Sequence, residues 1–224
     1  MGTASKGGLS PARSGSLAGK IANTLQDEII AGRYKPGQRL VEREIIERFG
    51  VSSIHVREAF LDLEGRGLLV RRHNVGCSVI ELTPKEAARI CELRRTLEPK
   101  VVEWACERIS DGAIAGLEKQ LVKLERAASR RQLPSFFQED IAFHRMIWAA
   151  ADNPFAARSL DIVMGSLFAA GLIGGEQKAT INLVAEVEKH RRLVEAIRQR
   201  DARSAAMALL DIAVGFEKNV PHMG

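Results

Sequence analysis

The chain has 224 residues, 46% hydrophobic and 27% charged, which gives enough apolar mass for a core and sets it apart from disordered sequences. Aromatics reach only 5% while alanine, leucine, arginine and glutamate dominate, a balance that favours helices over a sheet-rich fold. The net charge is +5, but residues 1–82 hold 12 Lys/Arg against 9 Asp/Glu, so no block is basic enough to bind nucleic acid as a charged tail; any such contact must come from a few placed residues.

Residues 1–15 are rich in Gly, Ser and Ala and are expected to form a flexible tail. They contain no apolar h-region, so no secretory signal is predicted. Ile21, Leu25, Ile29 and Ile30 then recur on one helical face, closed by Gly32 and a Pro36-Gly37 turn. A second helical pattern starts at Leu40, carries Ile45, Ile46 and Phe49, and ends at Gly50. The third follows in "GVSSIHVREAF", with Ser52 as N-cap and Val56, Ala59 and Phe60 inward, and runs to about Gly65. Residues 68–70 and 77–80 read as two short strands around "RRHNVG", with Asn74 and Gly76 as turn formers. Three helices and a two-stranded hairpin predict a winged helix-turn-helix over residues 16–82.

A different region opens at "TPKE". Thr83 is a helix N-cap, Pro84 takes the first helical position and Glu86 completes a capping box. Beyond it only helical periodicity is found, in segments 84–109, 111–131, 134–150, 154–171, 179–199 and 201–218. The fold class is therefore mostly α: a winged helix-turn-helix followed by an all-helical bundle over residues 83–220, expected to bind a ligand and to dimerise. Trp104, Trp148, Phe136 and Phe137 read as core. "GLIGGEQ" lacks the strand and Lys-Ser/Thr of a phosphate loop and reads as a helix connection. Cys77, Cys91 and Cys106 form no CxxC and cannot all pair, which predicts a reducing cytoplasm. The most apolar stretch, 162–173, is too short and too broken by Gly and Ser to span a bilayer.

In a helix-turn-helix the start of the second helix meets base edges in the major groove. Here that start presents Ser52, Ser53, His55 and Arg57. Arg57 suits a guanine edge or a phosphate, and the two serines with the helix-start N–H groups suit phosphate oxygens. Arg43, near the start of the preceding helix, is placed to reach the backbone or groove edge. Gly76, without a side chain, lets the wing approach the minor groove.

These residues carry a resemblance. "GRYKPGQRLVEREIIERFGVSSIHVREAFLDLEGRGLL…NVG" resembles the GntR family of bacterial transcription regulators over residues 20–80. That family's usual pattern reads G-x-x-x-P-G-x-x-L…E…L-A-x-x-x-G-V-S-R-x-P-V-R-E-A-L. The resemblance implies DNA contacts at Arg43, Ser52, Ser53, Arg57 and Gly76. The chain departs where Ser53 stands in place of the usual arginine and His55 in place of proline, which implies an operator unlike those of typical relatives, or weaker binding.

"ELRRTLEP" and "FFQEDIAFHRMIWAAADNP" resemble the FCD effector domain of the FadR-type subgroup, over residues 84–216. Asp140 and His144 stand i, i+4 on one helical face, where a carboxylate and an imidazole can share a metal. The resemblance adds His190 as a further ligand and Arg94 as a pocket arginine for an effector carboxylate. It also implies a histidine from the last helix, where this chain has Ile212. Three ligands with water or effector can still hold one divalent ion, and the mixed N/O set admits zinc, nickel or manganese.

Together these readings predict a transcription regulator, a repressor controlled by a small organic acid, acting as a homodimer on double-stranded operator DNA. The alternative is a metal-dependent enzyme using Asp140, His144 and His190. No separate nucleophile or general base accompanies them, and the helix-turn-helix would then serve no purpose. A third reading is an architectural DNA-binding protein with no effector.

Overall fold

The computed structural model describes residues 15–72, 76–170 and 181–217. Nearly all of the expected tail, Asn74, the "GLIGGEQ" stretch and residues 218–220 lie outside the described residues.

α1 (Leu17–Ile30) starts where Ser16 Oγ accepts from the Gly19 N–H at 3.0 Å, and Gly32 follows its end at φ +79°. Its apolar stripe of Ile21, Leu25 and Ile29 packs on α3 (Ser53–Gly65), whose Val56, Ala59, Phe60 and Leu63 are fully buried. Burying a phenylalanine such as Phe60 stabilises by about 1.5–3 kcal/mol. Between them, α2 (Glu42–Phe49) ends on Gly50 at φ +63°, a left-handed backbone that favours glycine. Glu28 of α1 fastens α2 by accepting from Arg48, which also donates to the Tyr34 hydroxyl at 3.2 Å.

The wing corrects the two-stranded expectation. Leu40 does not begin the second helix: Arg39–Leu40 form β1, and with β2 (Leu69–Arg72) and β3 (Gly76–Val79) they make a three-stranded antiparallel sheet in the order β1-β3-β2. Arg39 pairs with Ser78 and Leu40 with Cys77. A two-residue strand has no periodicity to betray it, and a buried leucine suits a helix start equally well. Gly76 is also relocated. It pairs with Arg72 in the ladder at φ +96°, so it belongs to a strand and not to the turn.

The helical half follows the expected segments within a few residues. α4 (Pro84–Arg108) opens on the full Thr83–Glu86 capping box. α5 (Asp111–Ser129), α6 (Leu133–Ala150), α7 (Pro154–Ala169), α8 (Leu183–Arg198) and α9 (Ala202–Glu217) complete it. α4 packs on α9, α6 and α7, while α8 packs on α9 and α5. Leu117, Leu124, Phe143, Trp148, Leu160 and Ile197 fill a core separate from that under the wing, and Phe136 and Phe137 join it. Trp104 is only partly buried, flanked by Lys100 and Arg108 at 5.8 Å from its ring. Cys77, Cys91 and Cys106 are buried, and none is in a disulfide.

The two cores meet along α6 and α7. Gly67, at φ +72°, and Gly165 bring the turn after α3 into backbone contact with α7, and Ser166 Oγ donates to the Gly67 carbonyl at 3.2 Å. Beside them Arg145 of α6 donates to Asp161 at 2.6 Å, and Arg66 donates to Gln26 of α1 at 2.9 Å.

Candidate functional site

The start of α3 is a polar, outward surface. Ser52 is the N-cap in extended backbone, but its hydroxyl makes no cap bond; it lies 2.9 Å from His55 Nδ1 instead. Arg57, with 63% of its side chain exposed, donates through Nε to Glu42 at 3.0 Å, so a residue of α2 aims its guanidinium. Arg43 projects into solvent with Glu47 3.7 Å away. Ser53 and His55 are half-buried. All five residues thus gather at the α2–α3 end, with Gly76 on the adjoining wing. Two residues here were not foreseen. Glu42 is one, and the other is Ile54, 65% exposed between Ser53 and His55, an apolar group suited to a thymine methyl. The signal for Ile54 was its position off the inward face set by Val56, Ala59 and Phe60.

In the helical half, α6 and α8 bring three residues far apart in sequence to one point. Asp140 Oδ1 lies 2.8 Å from His190 Nε2 and 3.7 Å from His144 Nε2. Ligand atoms from all three fall within 4.8 Å of one another, so the cluster is able to hold a metal ion. They line a cavity of about 40 Å³ with Arg94, Phe136, Phe137, Met164, Ile181, Glu186 and Ile212. One water needs about 10–15 Å³ by the same measure, so the space suits an ion with a few small ligands.

Hydrogen bonding tests the fit of a metal. His190 Nδ1 lies 2.8 Å from the Glu186 carbonyl, which accepts its proton and leaves the Nε2 lone pair facing the cavity. Although Nε2 is close to Asp140, the two are not aligned as donor and acceptor, and both His190 Nε2 and His144 Nδ1 are buried without a hydrogen-bond partner among the described residues. A buried His190 Nε2 that faces the Asp140 carboxylate without a hydrogen bond between them fits an ion held by both. Burial holds His144 below the usual histidine range, favouring the neutral imidazole that coordinates. Burial would raise the Asp140 carboxyl, yet His144, His190 and Arg94 outweigh it and keep it low and ionised. His190 goes the other way, burial being overcome by Asp140.

Arg94 lines the cavity as expected, but through Nε and Nη2 it meets Glu98 at 3.3 Å, both side chains fully buried. Glu98 stands four residues after Arg94 within "ELRRTLEP", and that i, i+4 spacing is the signal from which the pairing could be read. Ile212 takes its wall of the pocket while Asp211 turns outward to Arg192 at 3.2 Å.

Comparison with known proteins follows this division. Residues 17–79 match the bacterial regulatory proteins of the gntR family, and residues 89–213 match the FCD domain. The galactonate operon transcriptional repressor of Escherichia coli K12 is 26% identical, over 85% of this chain and 91% of its own length. The gluconate operon transcriptional repressor of Bacillus subtilis 168 is 27% identical, over 81% and 76% respectively. Among solved structures, E. coli McbR/YncC superposes with a TM-score of 0.76 at 23% identity, covering 91% of this chain and 98% of that one, which establishes the shared fold. No helix among the described residues is long and apolar enough to cross a membrane. With both the winged reader and the helical half accounted for, the chain belongs to the gntR family of bacterial regulators, in the branch that carries an FCD domain.

Proposed function

We propose that the chain is a ligand-responsive transcription repressor of the cytoplasm, and not an enzyme. Residues 16–82 read operator DNA through Arg43, Ser52, Ser53, His55, Arg57 and Gly76. Residues 83–220 bind a small organic acid and join two copies, because two half-sites on a palindrome give a helix-turn-helix its specificity. The named repressors of galactonate and gluconate operons among its relatives support a polyhydroxylated acid as the effector class.

Asp140, His144 and His190 would hold a divalent ion, which when bound supplies a Lewis-acid point for an effector carboxylate. Ile212, where a fourth ligand would stand, leaves that side of the ion to effector or water. Arg94, which lines the same pocket, would balance that carboxylate with a guanidinium whose charge it also shares with Glu98.

One observation carries the reading: two of the helices that line the pocket, α6 and α7, also touch the DNA-binding half. α6 turns His144 inward and the adjacent Arg145 toward Asp161 and Gln26; α7 turns Met164 inward and Gly165 onto Arg66. An effector that favours one arrangement of α6 and α7 therefore shifts the reading heads as well. The test is a thermal-shift series on chelator-treated protein, with zinc, nickel or manganese alone and with D-gluconate or D-galactonate. A metal-dependent rise in melting temperature, increased by one acid and lost in His144→Ala/His190→Ala, is expected. An unmoved melting temperature throughout would remove the metal and leave the cluster as polar lining.

A further inference from the structure

Strand β1 of the wing carries an arginine, Arg39, that no pattern in the chain singled out. Side chains alternate across the sheet, so Arg39, which pairs with Ser78, shares a face with Gly76, and so does Arg72, which pairs with Gly76. The opposite face, with Leu40, Cys77 and Val79, is buried on the core. Arg39 and Arg72 are both exposed. Between them Gly76 has no side chain, and the Arg39 guanidinium lies across it: a Cβ there would be 3.4 Å from Nε and 3.5 Å from Nη2.

Their charges are also distinct. In this half Arg33 and Arg48 are held by Glu28, Arg43 by Glu47, Arg57 by Glu42, Arg66 by Asp62 and Arg71 by Glu64. Arg39 and Arg72 are the arginines with no carboxylate within 4.0 Å among the described residues. A guanidinium already paired must give up its carboxylate to take a phosphate, whereas these two have none to give up. We propose that Arg39 and Arg72 form a phosphate clamp on the outer face of the wing, gripping the DNA backbone beside Gly76. The proposal rests on the DNA-binding reading of this half and adds a sequence-independent contact separate from α3.

The test uses the full chain and two fluorescent duplexes, one selected by the wild-type protein from a randomised library and one unrelated duplex of equal length. Affinity is followed by anisotropy across a KCl series. Arg39→Ala/Arg72→Ala should weaken both duplexes by the same factor. It should also flatten the slope of log affinity against log salt by about 2 per bound chain, since each phosphate contact contributes about 0.9. Arg39→Lys/Arg72→Lys should keep most of the slope, and Arg57→Ala should weaken the selected duplex more than the unrelated one. An unchanged slope in the alanine double variant, or a loss confined to the selected duplex, overturns the clamp while leaving DNA binding in place. A wild-type protein that binds neither duplex overturns the DNA reading and the clamp with it.

Discussion

Gly165 of α7 lies so close to Arg66 that a Cβ on the glycine would sit 1.9 Å from the Arg66 carbonyl oxygen. Both partners are backbone, so neither can swing aside. Gly165→Ala should force the two halves apart, lowering stability by about 1–3 kcal/mol. Thermal melting with and without effector checks this. A wild-type melting temperature would mean that the contact yields more easily than its geometry implies.

Arg57→Ala should weaken binding to the selected duplex by about 1–3 kcal/mol if the guanidinium reads a guanine, and less if it meets only phosphate. Glu42→Ala should produce a smaller loss, because it frees the guanidinium without removing it. Anisotropy with folded variants measures both, and unchanged affinity in Arg57→Ala would remove α3 as the reader.

Glu28 gives a pH dependence. Its hydrogen bond from Arg48, helped by Arg33, holds the carboxyl below its ordinary value of 4.5. A depressed carboxylate contributes stability that is present above the unfolded value and lost as pH falls through the folded one. The α1–α2 packing should therefore weaken below about pH 4.5, and Glu28→Gln should lose about 1–2 kcal/mol at neutral pH, Arg48 being partly solvent-screened. Melting curves across pH 3–7 for both proteins, about four units wide, should converge at the acid end; parallel curves would contradict the assignment.

Much of this was legible from local rules. Thr83, Pro84 and Glu86 announced α4 because a capping box is written within four residues, and Val56, Ala59 and Phe60 announced the inner face of α3 by spacing alone. β1 was hidden because two residues carry no period, and with it went the place of Arg39. Gly76 was read as a turn former, whereas its partner across the ladder, Arg72, is a matter of register. At the pocket, Asp140 and His144 share one helix and were visible as a pair. His190 comes from α8, and its closeness to Asp140 is a product of packing that only the family resemblance could suggest. Ser52 shows a finer limit: its N-cap position was readable, but the preference of its hydroxyl for His55 was not.

Dimerisation should show directly in light scattering of the full chain at micromolar concentration, as twice the chain mass of 24.6 kDa. A clean monomer would leave a single helix-turn-helix to supply specificity that normally needs two half-sites.

The central claim is that occupancy of the Asp140–His144–His190 pocket sets DNA affinity. Its most direct test is the affinity of metal-supplied full chain for its selected duplex, measured by anisotropy with and without D-gluconate or D-galactonate. A change of about 5–150-fold with one of these acids is expected, fading as pH falls, first as His190, held above the ordinary histidine value, takes up a proton, because each imidazole must be neutral to coordinate. No such change is expected in His144→Ala/His190→Ala. Affinity that ignores both acids, or that responds equally in the double variant, would contradict it.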